Sequence, residues 1–207
     1  VCNANCTSTG LTVTLKALQG AFGVVRGFVV SLQALSGAGY PGVASLDIVD
    51  NALPYIPGEE EKMEWEPRKM LGELSVGGIR LADLRLSAQA NRVAVSDAHL
   101  VCISVELQRR AGIEEVARAL REYGAPQESR DLPSAPHPPI VLRNEPDRPQ
   151  PKLDRMTGGG MTTVVGRLRP DPLLDYKMVI LSHNTIRGAA GGSIYNAELL
   201  VDRGYVG

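Results

Sequence analysis

The sequence predicts a mixed α/β domain of the α+β kind, with one mixed, largely antiparallel sheet and helices on one face. Three observations predict it. Helical and β-prone runs alternate along the chain without the strict strand–helix–strand rhythm of a parallel sheet. Two β-prone runs, "DLRLSAQANRVAV" and "HLVCISVEL", are joined by the short stretch Ser96-Asp97-Ala98, the spacing of an antiparallel hairpin. Finally, 207 residues at 43% hydrophobic and 22% charged make one globular domain, or at most two small ones, with a sizeable core.

The elements follow in chain order. Residues 8–22, "STGLTVTLKALQGAF", place Leu11, Val13, Leu15, Leu18 and Phe22 at a spacing nearer helical than alternating, behind Ser/Thr caps. A helix starting near Ser8 or Thr9 is expected. "GVVRGFVVSLQAL" is β-branched and continuous enough for a buried strand, and it ends at the glycine loop "SGAGYPG". Residues 58–71, "GEEEKMEWEPRKML", read as a charged helix that Pro67 breaks or kinks. The hairpin runs come next, then the amphipathic helix "IEEVARALREY" at 113–123. Residues 126–151 hold eight of the 14 prolines, so this segment is expected to be extended, to hug the surface and to serve packing or subunit contact. Two further strands, "MTTVVGRLR" and "YKMVILSH", precede a final helix in "IRGAAGGSIYNAELLVDRG" that ends at Gly204. There is no internal repeat.

Lys and Arg number 22 against 23 Asp and Glu, with no long block of either sign, which leaves no electrostatic footprint for nucleic acid or anionic lipid. Small molecules or proteins are the expected partners. The longest apolar run, "GFVVSLQALSGAGYPG", falls short of the roughly 20 residues a membrane helix needs. The odd count of three cysteines, Cys2, Cys6 and Cys102, argues against a secreted disulfide framework and for a reducing cytosol. Cys2 and Cys6 lack a second Cys/His pair at zinc spacing, so no metal is expected. The chain opens on Val five positions before Cys6, which suggests part of a longer polypeptide.

Cys6 sits where the first helix should begin, and exposed backbone N–H groups there stabilise a thiolate. Its neighbour Asn5 offers an amide to an oxyanion, and Thr7-Ser8-Thr9-Gly10 are small enough for a carbonyl to approach. The alternative is a buried structural thiol beside a helix cap. Cys102, mid-strand, reads as core. Among three histidines, His137 lies in a proline-bound segment and His183 ends a strand as a structural residue or a cleft lining. His99 follows the hairpin turn. A turn centred near Val95 to Asp97 makes it a cross-strand neighbour of Arg92, presenting a base and a fixed cation to one spot, unless the two are an ordinary exposed pair. Gly37-Ala38-Gly39-Tyr40-Pro41-Gly42 satisfies G-x-G-x-x-G, yet no helix and second parallel strand follow it, so a tight loop near the reacting centre is expected, not a pyrophosphate cradle.

Five stretches in order, "NANCTST", "QALSGAGYPG", "PYIPGEEEK", "NRVAVSDAH" and "SHNTIRGAAGGS", resemble the catalytic portion of the aspartate-semialdehyde dehydrogenases of archaea and fungi, across essentially the whole chain. The resemblance implies a catalytic and dimerisation domain over 1–183, like the C-terminal domain of glyceraldehyde-3-phosphate dehydrogenase, in a homodimer or homotetramer. It implies that 184–207 form a C-terminal helix returning to an N-terminal NADP-binding domain missing from this sequence. It also implies site residues. Cys6 is the nucleophile that forms a thioester, Asn5 helps hold the oxyanion, Gln33 orients the substrate, and His99 is general acid/base. Arg92 grips the substrate α-carboxylate, Glu59 meets its amino group, and Lys62 binds phosphate. Ser36, Gly37 and Asn184 touch the nicotinamide end of NADP. The implied reaction is NADP-dependent conversion of L-aspartyl-4-phosphate to L-aspartate 4-semialdehyde, a cytoplasmic step of lysine, threonine and methionine biosynthesis. Thiolate, proton carrier and fixed charges are what that chemistry requires. Two other readings stand beside it: a CoA-thioester reductase such as one for malonyl-CoA, which has no amine for Glu59, and a non-catalytic dimerisation fragment.

Overall fold

The structure is a computed structural model and describes residues 2–207. Its first helix, α1 (Cys6–Phe22), buries Leu11, Leu15, Leu18 and Phe22. These side chains lie on the inner face of a six-stranded sheet ordered β4-β1-β5-β8-β7-β6. The strands are β1 (Val24–Gln33), β4 (Arg85–Arg92), β5 (His99–Leu107), β6 (Ile140–Leu142), β7 (Thr163–Pro170) and β8 (Tyr176–Ser182). β2 (Glu73–Ser75) and β3 (Gly78–Arg80) form a separate exposed ribbon. Val29, Ile103, Val105, Met178 and Ile180 meet the helix from the sheet, and α4 (Ile113–Arg121) adds Val116 and Leu120 to the same core.

On the other face of the sheet Phe28 on β1 is 49% exposed and Cys102 on β5 is exposed, while Leu100, Val164 and Leu181 form a small separate cluster. Cys102 is therefore not a core residue. Alternation along β5 puts His99, Val101 and Ile103 inward and Cys102 outward, so its mid-strand position gave the wrong face.

The expected hairpin is absent. β4 runs parallel to β1, pairing Gln33 with Arg92, while β5 runs antiparallel to β1 on its other side, pairing Leu32 with Leu100. The link 93–98 passes over the end of β1 instead of turning back on β4. Val93 N–H donates to the Gln33 carbonyl, and Leu35 and Ser36 N–H donate to the carbonyls of Val95 and Ser96. A third strand between the two runs is invisible to their spacing.

The charged helix α3 (Glu59–Met70) passes through Pro67 without ending there. It covers the edge strand β4: Glu60 and Glu64 accept from the backbone N–H groups of Ala90 and Ala88, both at 3.0 Å. Four helical residues and two strand residues advance by about 6 Å and 6.6 Å, which is why an i, i+4 pair of carboxylates matches alternate N–H groups.

The short helix α2 (Ser45–Ile48) leads into α3. The proline-rich stretch contains β6, paired parallel with β7, and leads to α5 (Pro151–Asp154), where buried Asp154 takes Arg143 and Arg148. A π-helical turn, Ile186–Ala190, then opens α6 (Gly191–Asp202), which buries no side chain. Among the described residues no helix is long and apolar enough to cross a membrane.

Candidate active site

The site begins at the N-cap of α1. Asn5 Oδ1 accepts from the N–H groups of Thr7 at 2.9 Å and Ser8 at 3.1 Å, so the helix starts at Cys6, ahead of the expected Ser8 or Thr9. Asparagine is as good a cap as serine, and here the serine is buried. Cys6 thus occupies the first helical position, half-buried, with Sγ 3.3 Å from His99 Nε2.

Arg92 and His99 approach the same centre from either side of β1, and the Ala34 peptide joins them. Its carbonyl accepts from Arg92 Nη1 at 2.8 Å, and its N–H donates to His99 Nδ1 at 3.0 Å. Both side chains are buried. Exposed Gly37 covers this pair: a Cβ there would stand 2.8 Å from Arg92 Nη1 and 2.9 Å from His99 Cε1. On the far side Gly188, in the π-helical turn, lies against Cys6. A Cβ at Gly188 would meet Cys6 Cβ at 2.6 Å and its Cα at 2.8 Å.

Glu59, buried at the first position of α3, gathers the remaining polar groups. Its carboxylate accepts from Asn5 Nδ2 at 2.9 and 3.0 Å, Gln33 Nε2 at 3.0 Å and Lys62 Nζ at 3.2 Å. One heptad along the same helix face, Glu66 accepts from Asn5 N–H at 2.8 Å. The Asn5 amide expected at an oxyanion is therefore engaged with the helix cap and Glu59. Lys62 keeps its side chain 49% exposed.

Electrostatics follow from this packing. Burial, and then the charge of Glu59, hold the Cys6 thiol above its ordinary value; the N–H groups of Thr7 and Cys6 pull the other way and lose. The helix-terminus effect expected from the sequence is present but outweighed. Burial, Arg92 and His183 together push His99 down to about 3. Burial also lowers Arg92, against the pull of Glu59 and Cys6.

Ser36 and Asn184 meet at the rim. Asn184 Nδ2 donates to Ser36 Oγ at 2.8 Å, and Asn184 Oδ1 accepts from Ala98 N–H at 2.8 Å. His183 is buried beside His99 and bonds Thr185, whereas His137 is exposed. Sequence reasoning missed Ala34, Gly188 and Glu66. Ala34 acts through main-chain atoms, and Glu66 was legible only as the heptad partner of Glu59. Among the described residues no three His, Cys, Asp or Glu side chains group as a metal site. A cavity of about 330 Å³ between α1 and α6 has neither His99 nor Arg92 in its lining, so convergence of side chains, and not volume, marks the reactive spot.

A family model described as "Semialdehyde dehydrogenase, dimerisation domain" matches residues 15–187. The aspartate-semialdehyde dehydrogenase of Schizosaccharomyces pombe is 48% identical over 210 residues, which cover 99% of this chain and 59% of that protein. That of Archaeoglobus fulgidus is 49% identical over 201 residues, covering 97% and 57%. The crystal structure of aspartate semialdehyde dehydrogenase with NADP from Candida albicans superposes with a TM-score of 0.90 at 42% identity, over 100% of this chain and 58% of that one. Aspartate semialdehyde dehydrogenase II from Vibrio cholerae, complexed with ASA, gives 0.77 at 26% identity, over 96% and 61%. The chain spans a little under three fifths of the length of these curated relatives. With the family model covering most of its residues and the fold shared throughout, the chain belongs to the semialdehyde dehydrogenase family and carries its dimerisation domain.

Proposed function

We propose that this chain is the catalytic half of an NADP-dependent aspartate-semialdehyde dehydrogenase. One observation carries the reading: a thiol at the first position of a helix stands 3.3 Å from a buried imidazole, with Arg92 and Glu59 acting electrostatically on the same sulfur. Cys6 Sγ attacks the acyl carbon of L-aspartyl-4-phosphate, phosphate leaves, and a thioester remains on the sulfur. Arg92 pairs with the α-carboxylate. Glu59, already lined with donors, exchanges one of them for the substrate ammonium. Lys62, the exposed cation beside it, meets the phosphate. Gln33 and Asn5 hold Glu59 in place, and Asn5 fixes Cys6 at the start of α1 through its cap bonds instead of donating to the oxyanion.

NADPH supplies a hydride to the acyl carbon when bound. The residues present fit its nicotinamide end: exposed Gly37 leaves the side of His99 and Arg92 free of any side chain, and the Ser36–Asn184 bond fixes that rim. The dinucleotide-binding half lies upstream, and α6, which buries none of its side chains here, packs against it. The uncovered sheet face with Phe28 and Cys102 pairs two copies as a homodimer. On this reading the protein works in the cytoplasm, in lysine, threonine and methionine biosynthesis.

The test joins the chain to its upstream half and follows NADPH formation from L-aspartate 4-semialdehyde and phosphate. Turnover that disappears in Cys6→Ala is expected. Faster reduction of malonyl-CoA than of aspartyl phosphate overturns the substrate assignment, and no turnover of either leaves only the dimerisation role.

A further inference from the structure

The cavity of about 330 Å³ between α1 and α6 is separated from the reacting centre by the π-helical turn, whose Gly188 lines the cavity and lies against Cys6. Its charge is one-sided. Arg187 from the turn and Lys16 from α1 line it, and no Asp or Glu does. The Arg187 guanidinium lies over the Tyr195 ring, 5.4 Å from its centroid, and among the described residues it has neither an ion pair nor a hydrogen bond. Burial lowers it, and the groups acting against that are two phenols, Tyr195 and Tyr123, with no carboxylate. Thr12, on the α1 wall of the same cavity, is 8% exposed, and its Oγ1 is buried without a partner. A cation without a counter-charge and a buried hydroxyl without a partner thus line one enclosed space.

We propose that this cavity is a second binding site, for a small organic anion that carries a carboxylate and a short apolar body but no amine, held by Arg187, Lys16 and Thr12. A carboxylate gives the planar guanidinium two parallel bonds and supplies the missing counter-charge. It also gives the Thr12 hydroxyl the acceptor it lacks. Val13, Leu71 and Pro126 wall the space for an apolar body, and its volume is that of the smaller ligand sites, from about 300 Å³ upward. Inorganic phosphate would satisfy the cations and leave most of the space and those walls to water. An α-amino acid fails for the opposite reason: its ammonium would stand among two cations with no carboxylate to receive it. The reacting centre differs here, because the Glu59 carboxylate lies beside its cation Arg92.

This inference goes beyond the acyl-transfer reading and uses none of it, since calorimetry reads binding in an enzyme that turns over nothing. The probes are 4-methyl-2-oxopentanoate, L-leucine and inorganic phosphate. Leucine has the carbon skeleton of the oxo acid with an ammonium in place of the oxo group. With the enzyme carrying both halves, the oxo acid is expected to bind with a Kd on the order of 1 mM or tighter, and the other two at least about tenfold more weakly. Arg187→Leu is expected to weaken the oxo acid by about tenfold or more. Lys16→Met, at an exposed side chain whose replacement leaves the core alone, weakens it by about threefold and decides the matter if Arg187→Leu does not fold. Arg92→Leu is the control for binding at the reacting centre and leaves Kd within about twofold. A Kd for the oxo acid above about 10 mM, or leucine or phosphate binding as tightly, overturns the inference. So does an oxo-acid affinity that Arg92→Leu abolishes and Lys16→Met leaves unchanged, which puts the ligand beside Cys6.

Discussion

Gly188→Ala tests whether the π-helical turn sets the position of the Cys6 thiol. The added Cβ would sit 2.6 Å from Cys6 Cβ, 2.8 Å from its Cα and 3.2 Å from its carbonyl oxygen, where ordinary contact begins at 3.4 Å. The obstruction is helix backbone, not the end of a flexible side chain, so the turn and the start of α1 must part by about 0.8 Å. A shift of that size takes Sγ out of its present 3.3 Å placement against His99 Nε2. A misplacement on the order of 1 Å reduces turnover by about 10²-fold. Overpacking of this kind destabilises by about 1–3 kcal/mol, a Tm reduction of a few degrees in a chain of this length. The assay is kcat of the two-domain enzyme at saturating substrate, with Tm recorded alongside. Gly20→Ala is the control, since a Cβ there meets nothing within 4 Å, and a helical alanine is expected to keep activity and raise Tm slightly. A Gly188→Ala enzyme with kcat within about threefold of wild type would refute the reasoning.

Two further outcomes are expected. Glu59→Gln removes the charge that, after burial, does most to hold the Cys6 thiol up. The alkylation–pH profile of Cys6, followed by peptide mass spectrometry to separate it from exposed Cys2 and Cys102, should move to lower pH, with about three- to tenfold faster labelling near pH 8, while KM for the amino-acid substrate rises. A profile displaced upward contradicts the electrostatic reading. Asp154 is buried, and burial pushes its carboxyl up, but the Arg148 hydrogen bond, the Gln150 N–H and the two guanidiniums prevail and hold it below the usual carboxylate range. Its stabilisation is therefore complete above about pH 5 and lost as pH falls through the depressed value. Asp154→Asn should lower Tm at pH 7, by the equivalent of about 3 kcal/mol at most because both arginines reach solvent, and should flatten the fall in Tm between pH 5 and pH 3. An unchanged acid slope would show that the carboxylate is not what anchors the proline-rich arm.

What the sequence revealed depended on the range of the interaction. The amphipathic helix at 113–121, the apolar stripe of α1 and the strands around Val29, Val165 and Ile180 are local patterns, and they folded as read. The pairing of β4 with β5 failed because the decisive partner, β1, lies some fifty residues earlier, and nothing in a short link distinguishes a turn from a bridge. Arg92 and His99 nevertheless meet, since parallel β4 ends and antiparallel β5 begins beside the same end of β1, one on each side of it. Cys102 was misread because strand position does not tell which face receives the helices. The elevated thiol could not be anticipated, because a run of three glutamates in a charged helix does not tell which of them faces the sulfur. Only the fold shows that Glu59 turns inward, Glu60 joins the strand edge and Glu61 alone faces water.

The helix that carries those glutamates behaves as a caliper. One of its flanks grips the N-cap of the thiol-bearing helix through Glu59 and Glu66, and the other grips the strand that ends in Arg92 through Glu60 and Glu64. The gap between the Cys6 sulfur and the Arg92 guanidinium is thereby set by the phase of a single rigid rod. Insertions in the preceding loop leave that gap alone, but adding or deleting one residue between positions 60 and 64 would rotate Glu64 and Glu66 by about 100° against Glu59 and Glu60 and so split both grips at once.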